Sequence, residues 1–228
     1  MGYLLLEGGA EFGGGMRDPD LKAIELAGGL NVPIRIIPTA AAPDNNHQRA
    51  GNNGIRWFQS LGATDVTSVP LISRIRADEK NLAQSLREAK LIYMLGGFPH
   101  YLGQTLKDSL AWEAVLDAYR NGAIVAGSSA GAMVMCEFYY DPSGKRVHEG
   151  LNLVPNSFIL PHHNTFGKSW ASSLLKKRPN ATLIGIDEQT GMINDGENGS
   201  WTVHGRGSVT LYRENQVESH QTGRYFSV

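Results

Sequence analysis

Short runs rich in apolar residues, separated by longer helix-like stretches, constrain the fold of this 228-residue chain more than any other feature. A strand of this kind is buried on both faces, as in a parallel sheet covered by helices on each side. The pattern therefore predicts an α/β fold with three layers, α/β/α, around a mainly parallel central sheet. The expected strands lie near 3–6, 33–38, 66–71, 91–95 and 123–127, and the expected helices near 19–28, 45–61, 78–89 and 105–120.

The pattern changes after residue 137. A turn signal, Asp-Pro-Ser-Gly at 141–144, predicts an irregular excursion over 138–155. Apolar and polar residues alternate in segments 201–204 and 208–212. This alternation favours antiparallel strands at a sheet edge toward the C-terminus. No internal repeat or linker is visible, so residues 1–228 are expected to form a single α/β domain. Between these parts we expect strands at 157–161 and 182–186 and a helix at 168–177.

Composition excludes several classes of protein. The 21 Lys and Arg residues are balanced by 22 Asp and Glu residues, so no basic excess favours binding to nucleic acid. The single cysteine, Cys136, cannot form an internal disulfide or a cysteine-based zinc site. No apolar run approaches the roughly 20 residues of a membrane span, and the N-terminus lacks the features of a signal peptide. We therefore expect a soluble cytoplasmic protein without nucleic-acid or membrane partners.

The segment 127–132, Gly-Ser-Ser-Ala-Gly-Ala, is the clearest candidate for chemistry. It fits the G-x-S-x-G pattern of a nucleophile turn, with Ser129 at the centre. A buried strand enters the turn and an apolar helix-like segment leaves it, as this strained geometry requires. The free N–H groups of the following helix would favour an oxyanion beside the serine. A glycine-rich packing turn or a non-catalytic anion-binding loop is the alternative.

A serine nucleophile needs a base, and the base needs an acceptor that orients it. His162 and His163 stand at the C-terminal end of a predicted strand, the edge where α/β sheets gather ligands. Adjacent side chains on an extended chain point to opposite sides, which disfavours a two-histidine metal site. Asp187 and Glu188 follow the next predicted strand, and a carboxylate there could orient the imidazole. The alternatives are a helix cap at Asp187 and a surface carboxylate at Glu188. The order serine, histidine, acid differs from the serine, acid, histidine order of α/β-hydrolases.

Together these segments resemble the dipeptidase E and cyanophycinase family of serine peptidases. The resemblance implies a fold like that of class I glutamine amidotransferases, with serine in place of their cysteine. Because that thiol is replaced here, a glutamine amidotransferase activity is disfavoured. The similar segments are 5–11 (LLEGGAE), 36–40 (IIPTA), 95–97 (LGG), 127–132 (GSSAGA), 150–155 (GLNLVP) and 184–188 (IGIDE).

The resemblance also implies roles for individual residues. Ser129 matches the family's nucleophile and Glu188 its acid, and the spacing from the Leu-x-Pro segment gives His162 as the base, with His163 as the fallback. The N–H groups of Gly97 and Ala130 match its oxyanion hole. Such a Ser-His-Glu triad hydrolyses peptides through an acyl-enzyme, with no metal and no organic cofactor.

The substrate follows less directly from the sequence. The leading expectation is hydrolysis of a small peptide with an N-terminal aspartyl residue. A cyanophycinase-like β-aspartyl isopeptidase and a non-catalytic binding module on the same fold are the alternatives, and a homodimer is left open. Candidate substrate-binding residues are His100, His163 and Lys168, with further cations at Lys176, Lys177 and Arg178.

Overall fold

The computed structural model describes residues 1–195, 199–214 and 216–228, and they form one large sheet, one smaller sheet and a hairpin. In the large sheet the strands run in the order β14-β11-β10-β1-β5-β4-β2-β3. The strands are β1 (Leu4–Glu7), β2 (Ile34–Ile37), β3 (Val66–Ser68), β4 (Leu91–Met94), β5 (Ile124–Ser128), β6 (Phe138–Asp141), β7 (Arg146–Glu149), β8 (Ser157–Leu160), β9 (Thr182–Ile186), β10 (Thr190–Ile193), β11 (Trp201–Gly205), β12 (Ser208–Arg213), β13 (Gln216–Gln221) and β14 (Tyr225–Phe226).

The central strands of the large sheet are parallel, as the continuous apolar runs predict. β1 pairs with β5 in the register Leu6↔Gly127, and β5, β4, β2 and β3 continue in parallel. Antiparallel strands β10, β11 and β14 extend the other edge. Leu4 and Leu6 face one apolar core and Leu5 faces a second, so the sheet is covered on both sides.

Helices form the outer layers. The face that Leu5 lines is covered by the first two helices, through residues such as Ile24 and Phe58. The opposite face is covered by helices that contribute Leu86, Leu102 and Val115. The predicted three-layer α/β architecture is therefore confirmed, and no helix among the described residues is long and apolar enough to cross a membrane. The helices are α1 (Arg17–Ala27), α2 (His47–Ser60), α3 (Arg74–Ala77), α4 (Lys80–Arg87), α5 (Pro99–Leu106), α6 (Leu110–Arg120), α7 (Ala130–Met135) and α8 (Ala171–Lys177).

Several predicted elements differ from the structure. The strand expected over 66–71 ends at Ser68, and the helix expected over 168–177 is α8 preceded by a 3-10 helix, Gly167–Trp170. The helix expected over 105–120 is two helices, α5 and α6, because Asp108 has a positive φ of 57° and Ser109 caps the start of α6 through the Trp112 N–H, at 3.1 Å. The excursion expected to be irregular over 138–155 contains a regular hairpin of β6 and β7. Its Asp-Pro-Ser-Gly signal is the hairpin turn, where the Asp141 carboxylate accepts the N–H groups of Ser143 and Gly144.

The strands β8 and β9 belong to the smaller sheet, ordered β13-β12-β9-β8, which sequence analysis did not separate from the central one. β8 and β9 are parallel, and β12 pairs antiparallel with β9. The pairing brings the C-terminal ends of β8 and β9 together beside the end of β1. This position matters because the candidate histidines and carboxylates follow β8 and β9 directly.

Candidate active site

Ser129 occupies a strained turn between β5 and α7. Its backbone has φ 49° and ψ −110°, and its N–H donates to the Glu7 carbonyl at 3.0 Å. A positive φ in a non-glycine residue is uncommon and costs energy, so the surrounding structure holds it in place. The glycines of the motif permit this turn, because a Cβ at Gly127 would overlap the backbone at Gly131 and one at Gly131 would overlap the carbonyl of Met94.

His162 reaches the Ser129 hydroxyl from the end of β8. Its Nε2 lies 3.1 Å from Ser129 Oγ, and its side chain is 21% exposed. The backbone of His162 also has a positive φ, 50°, and its N–H donates to the Gly8 carbonyl at 2.6 Å. The glycine pair after β1 therefore sets the position of the imidazole.

Glu188 completes the chain of contacts from the end of β9. Its Oε1 lies 2.8 Å from His162 Nδ1, and its own N–H donates to the Asn164 side-chain oxygen at 2.9 Å. Sequence analysis missed Asn164, because an asparagine in a loop carries no signal that it will bind a distant backbone. The geometry allows a serine to lose its proton to an imidazole that a carboxylate orients.

Two backbone N–H groups near Ser129 are free to bind an oxyanion. Ala130 is the first residue of α7, so its N–H has no acceptor within the helix. Gly97 follows β4 with a φ of 135°, which favours glycine, and among the described residues neither N–H makes a hydrogen bond to another group. Gly96 adjoins Ser129, since a Cβ built on it would lie 3.3 Å from the Ser129 Cβ.

A cavity of about 280 Å³ lies beside this turn. Gly96 and Gly97 form part of its wall, and its charged residues are the carboxylates Glu11 and Asp44, with no Lys or Arg among the residues that line it. Glu11 also accepts the Ser128 hydroxyl at 3.1 Å, which ties the cavity to the nucleophile turn. The cavity therefore suits a cationic or amide-bearing part of a ligand better than a carboxylate.

His163 does not face this site, and its predicted roles as substrate contact and fallback base are corrected. Its side chain is 7% exposed, with Nδ1 3.1 Å from Asp187 Oδ1 and Nε2 2.7 Å from the Tyr212 hydroxyl. His163 is turned toward the smaller sheet because the backbone at His162 has a φ of 50° and the His163 N–H donates to the Ile186 carbonyl at 3.0 Å. Asp187 likewise serves the smaller sheet, accepting the N–H of Ser208 at 2.9 Å.

His100 contacts the β6–β7 hairpin. It lies in the first turn of α5, where its ring stacks on His148 at 4.1 Å between centroids and its Nδ1 lies 3.1 Å from the Tyr139 hydroxyl. These contacts join α5 to the β6–β7 hairpin, and His100 lines a cavity other than the one beside Gly97. Its role in substrate binding stays a prediction. Lys168 is exposed on a short 3-10 helix, Gly167–Trp170, soon after His162.

The other predicted cations lie on α8 or directly after it, and the structure gives them no place in the cavity. Lys176 and Lys177 are exposed in the last turn of the helix. The Arg178 guanidinium packs over the Phe138 ring at 4.9 Å. In the part of the chain that the structure describes, no group of three or more His, Cys, Asp and Glu side chains is arranged to hold a metal ion.

A buried pair of carboxyl groups beneath the nucleophile turn was missed by sequence analysis. Glu7 ends β1 and Asp20 lies in α1, both fully buried. The Tyr93 hydroxyl donates to Glu7, and Trp57 Nε1 donates to Asp20 Oδ2 at 2.7 Å. Burial raises the pKa of Glu7 well above its usual range and that of Asp20 to about 7, so the pair holds protons under conditions in which exposed carboxyl groups are ionised.

Gly9 gives a prediction that tests how the imidazole is held. Its φ is 110°, and a Cβ at this position would overlap the ring of His162. Gly9→Ala is expected to displace the imidazole and lower kcat/KM by about 100-fold, the cost of a misplacement of about 1 Å. The measurement is kcat/KM together with a thermal melt.

Gly14→Ala is the matched control, because Gly14 has no neighbour within 4 Å of its Cβ position and has no positive φ. Full activity in both variants would contradict the tight packing of Gly9 on His162. Loss of activity with a collapsed melting transition in Gly9→Ala alone would assign the effect to folding.

Comparison with known proteins gives relatives of similar sequence. The cyanophycinase of Trichormus variabilis is 29% identical over 196 residues, which cover 81% of this chain and 64% of that protein. The cyanophycinase of Synechococcus elongatus is 26% identical over 221 residues, covering 92% of this chain and 67% of that protein. This chain thus spans less than two thirds of the length of the Trichormus relative.

Solved structures show the same fold. A peptidase from an acI-B1 Actinobacterium superposes with a TM-score of 0.88 at 28% identity, covering all of this chain and 97% of that one. A Listeria monocytogenes protein assigned as a peptidase E gives a TM-score of 0.64 at 21% identity, covering 98% of this chain, and shows likeness of fold alone. The model of Peptidase family S51 matches residues 4–201. The chain therefore belongs to peptidase family S51.

Proposed function

We propose that this protein is a serine peptidase that hydrolyses short peptides through Ser129, His162 and Glu188. One observation carries the proposal: His162 lies between the other two, 3.1 Å from the serine hydroxyl and 2.8 Å from the carboxylate. Both distances are within hydrogen-bond reach, and the three residues come from three different strand ends. A binding module would not need this alignment.

The chemistry follows from the positions of the groups. His162 Nε2 takes the Ser129 proton as the oxygen attacks the peptide carbonyl, and the acyl–oxygen bond forms. The N–H groups of Gly97 and Ala130 stabilise the oxyanion, each contributing on the order of 3 kcal/mol. His162 then gives its proton to the leaving amine as the C–N bond breaks, and water hydrolyses the acyl-enzyme. Glu188 orients the imidazole and stabilises the imidazolium that forms.

The first candidate substrate is a short peptide with an N-terminal aspartyl residue. Recognition of its side-chain carboxylate calls for a cation, and Lys168 supports this reading. Lys168 is exposed, lies six residues after His162, and has no ion-pair partner among the described residues. Its ammonium group is therefore available to a carboxylate of the substrate.

A cyanophycinase-like β-aspartyl isopeptidase is the second candidate, favoured by a different observation. The cavity beside Gly97 carries Glu11 and Asp44 and no basic residue. A guanidinium pairs well with carboxylates, so a substrate in which arginine is joined to an aspartyl residue would complement this lining. The curated relatives named cyanophycinase agree with this candidate.

The experiment is hydrolysis of α-Asp-Leu, β-Asp-Leu, α-Asp-Arg, β-Asp-Arg and Ala-Leu, each at several concentrations. The first candidate predicts that both α-aspartyl peptides are cleaved faster than Ala-Leu. In Lys168→Ala the KM for these two peptides should rise by about 10-fold, because one charge contact is lost. The second predicts β-Asp-Arg as the best substrate, with weaker binding in Asp44→Asn. Lys176→Ala is the control, since Lys176 is an exposed cation near the end of α8.

Ser129→Ala must abolish whatever cleavage is seen, which excludes a contaminating peptidase. A folded wild-type protein that cleaves none of the five peptides would contradict both candidates. A serine-directed phosphonate that also failed to label Ser129 would then favour the non-catalytic binding module.

A further inference from the structure

A row of aromatic side chains extends from the face of His162 across the surface. The Phe166 ring stacks on the His162 imidazole with centroids 4.9 Å apart and an angle of 23° between planes. The ring centroid of Trp170 lies 5.6 Å from that of Phe166, and the ring centroid of Tyr140 lies 5.1 Å from that of Trp170. The row therefore begins at the group proposed to transfer the proton.

Phe166 differs from the other two members of the row in its exposure. It is 50% exposed, whereas Trp170 and Tyr140 are partly buried and pack against the apolar cores. Its backbone is fixed, because the Phe166 N–H donates to the His162 carbonyl at 3.0 Å. The result is an apolar ring that keeps half of its surface in water beside the His162 imidazole.

We propose that Phe166, backed by Trp170, binds an apolar side chain of the residue whose amine leaves. The inference rests on the function proposed above and adds a specificity that the triad does not define. It identifies the substrate class as short peptides whose residue after the scissile bond is leucine-like or aromatic, which favours the first candidate over the arginine-bearing one.

The position of the leaving amine supports this assignment. His162 Nε2 must come within hydrogen-bond distance of the departing nitrogen to protonate it, about 3 Å. The side chain of the leaving residue begins two bonds from that nitrogen. It therefore lies within reach of the ring stacked on the imidazole, and covering the exposed face of Phe166 removes apolar surface from water.

The acidic cavity beside Gly97 is lined by other residues. None of the residues that line it belongs to the row of Phe166, Trp170 and Tyr140. The nearest charged residue in sequence to Phe166 is Lys168, which is exposed.

The competing explanation is that Phe166 only holds the imidazole in position. The two roles make different predictions for matched substrates. A ring that only positions His162 affects every substrate by the same factor, because the chemical step is the same. A ring that contacts the leaving residue affects substrates in proportion to the apolar surface of that residue.

The test is kcat/KM for two aspartyl peptides of the preferred linkage, one with leucine and one with glycine as the leaving residue. Wild-type protein is expected to favour leucine by about 10- to 50-fold, the range for a modest apolar contact. Phe166→Ala is expected to reduce this leucine-to-glycine ratio to below about 3, and Phe166→Leu to preserve most of it. Thermal melts of both variants check that each is folded.

Equal losses for the two peptides in Phe166→Ala, with the ratio unchanged, would overturn the inference and leave the proposed function intact. A wild-type protein that cleaves both peptides equally well would overturn it too. A wild-type protein that cleaves neither peptide nor any other member of the panel would contradict the proposed function, which is a distinguishable result.

Discussion

Ser129→Ala is expected to lower kcat by about 10⁴- to 10⁶-fold, because removal of a nucleophile that acts with its base eliminates the whole covalent pathway. His162→Ala should cost a similar factor, since its Nε2 is the proton acceptor 3.1 Å from the hydroxyl. The double variant should be no slower than either single one. Single-turnover kinetics on the best peptide of the panel measure all three values.

Glu188→Gln refines this prediction. The amide keeps the size of the side chain that lies 2.8 Å from His162 Nδ1, but it cannot stabilise the imidazolium as a carboxylate does. A loss of about 10⁴-fold in kcat is expected, as for a triad whose acid becomes an amide.

Losses that multiply in the double variant of Ser129 and His162 would contradict a single catalytic unit. An unchanged rate in Glu188→Gln would exclude the carboxylate from the mechanism.

Asp20→Asn is expected to raise stability at pH 8 and to weaken the dependence of stability on pH. Burial raises the pKa of Asp20 from its usual 3.8 to about 7, so between these values the folded protein holds a proton that the unfolded chain has lost. The free energy of unfolding therefore falls as the pH rises through this window. A shift of about three pKa units corresponds to about 4 kcal/mol, and Asp20 is fully buried, so solvent screening is small.

Urea unfolding at pH 5 and pH 8 measures this effect. Wild-type protein should lose several kcal/mol between the two values, while Asp20→Asn should lose clearly less, because the amide carries no charge and Glu7 no longer faces a second carboxylate. Asp108→Asn is the control, since Asp108 is exposed. An identical loss in wild type and Asp20→Asn would show that Asp20 does not keep its proton in the folded state.

The sequence was informative wherever chemistry depends on local pattern. The continuous apolar runs identified the parallel strands, and the small residues around Ser129 identified the strained turn, because only such residues fit it. The spacing of His162 and Glu188 after two apolar runs placed both at strand ends. Those features are encoded within segments of about ten residues, so a single sequence displays them.

The sequence was uninformative wherever the outcome depends on contacts between distant segments. The break between α5 and α6 depends on a positive φ at Asp108, and the separate smaller sheet depends on the pairing of β12 with β9. The Glu7–Asp20 pair forms because the end of β1 and the start of α1 meet beneath the turn. Sequence pattern gives burial preferences but no partners, so Asn164 was missed for the same reason.

The amino-acid sequence by itself determined the fold class, the nucleophile turn and the strand ends that carry His162 and Glu188, because hydrophobic period and small-residue patterns act locally. Only the tertiary structure decided which of two adjacent histidines faces Ser129. His162 is held there by the Gly8 carbonyl, and His163 is turned into the smaller sheet by Asp187 and Tyr212. Adjacent residues share the same local pattern, and only three-dimensional packing assigns their opposite directions to a site and to a core.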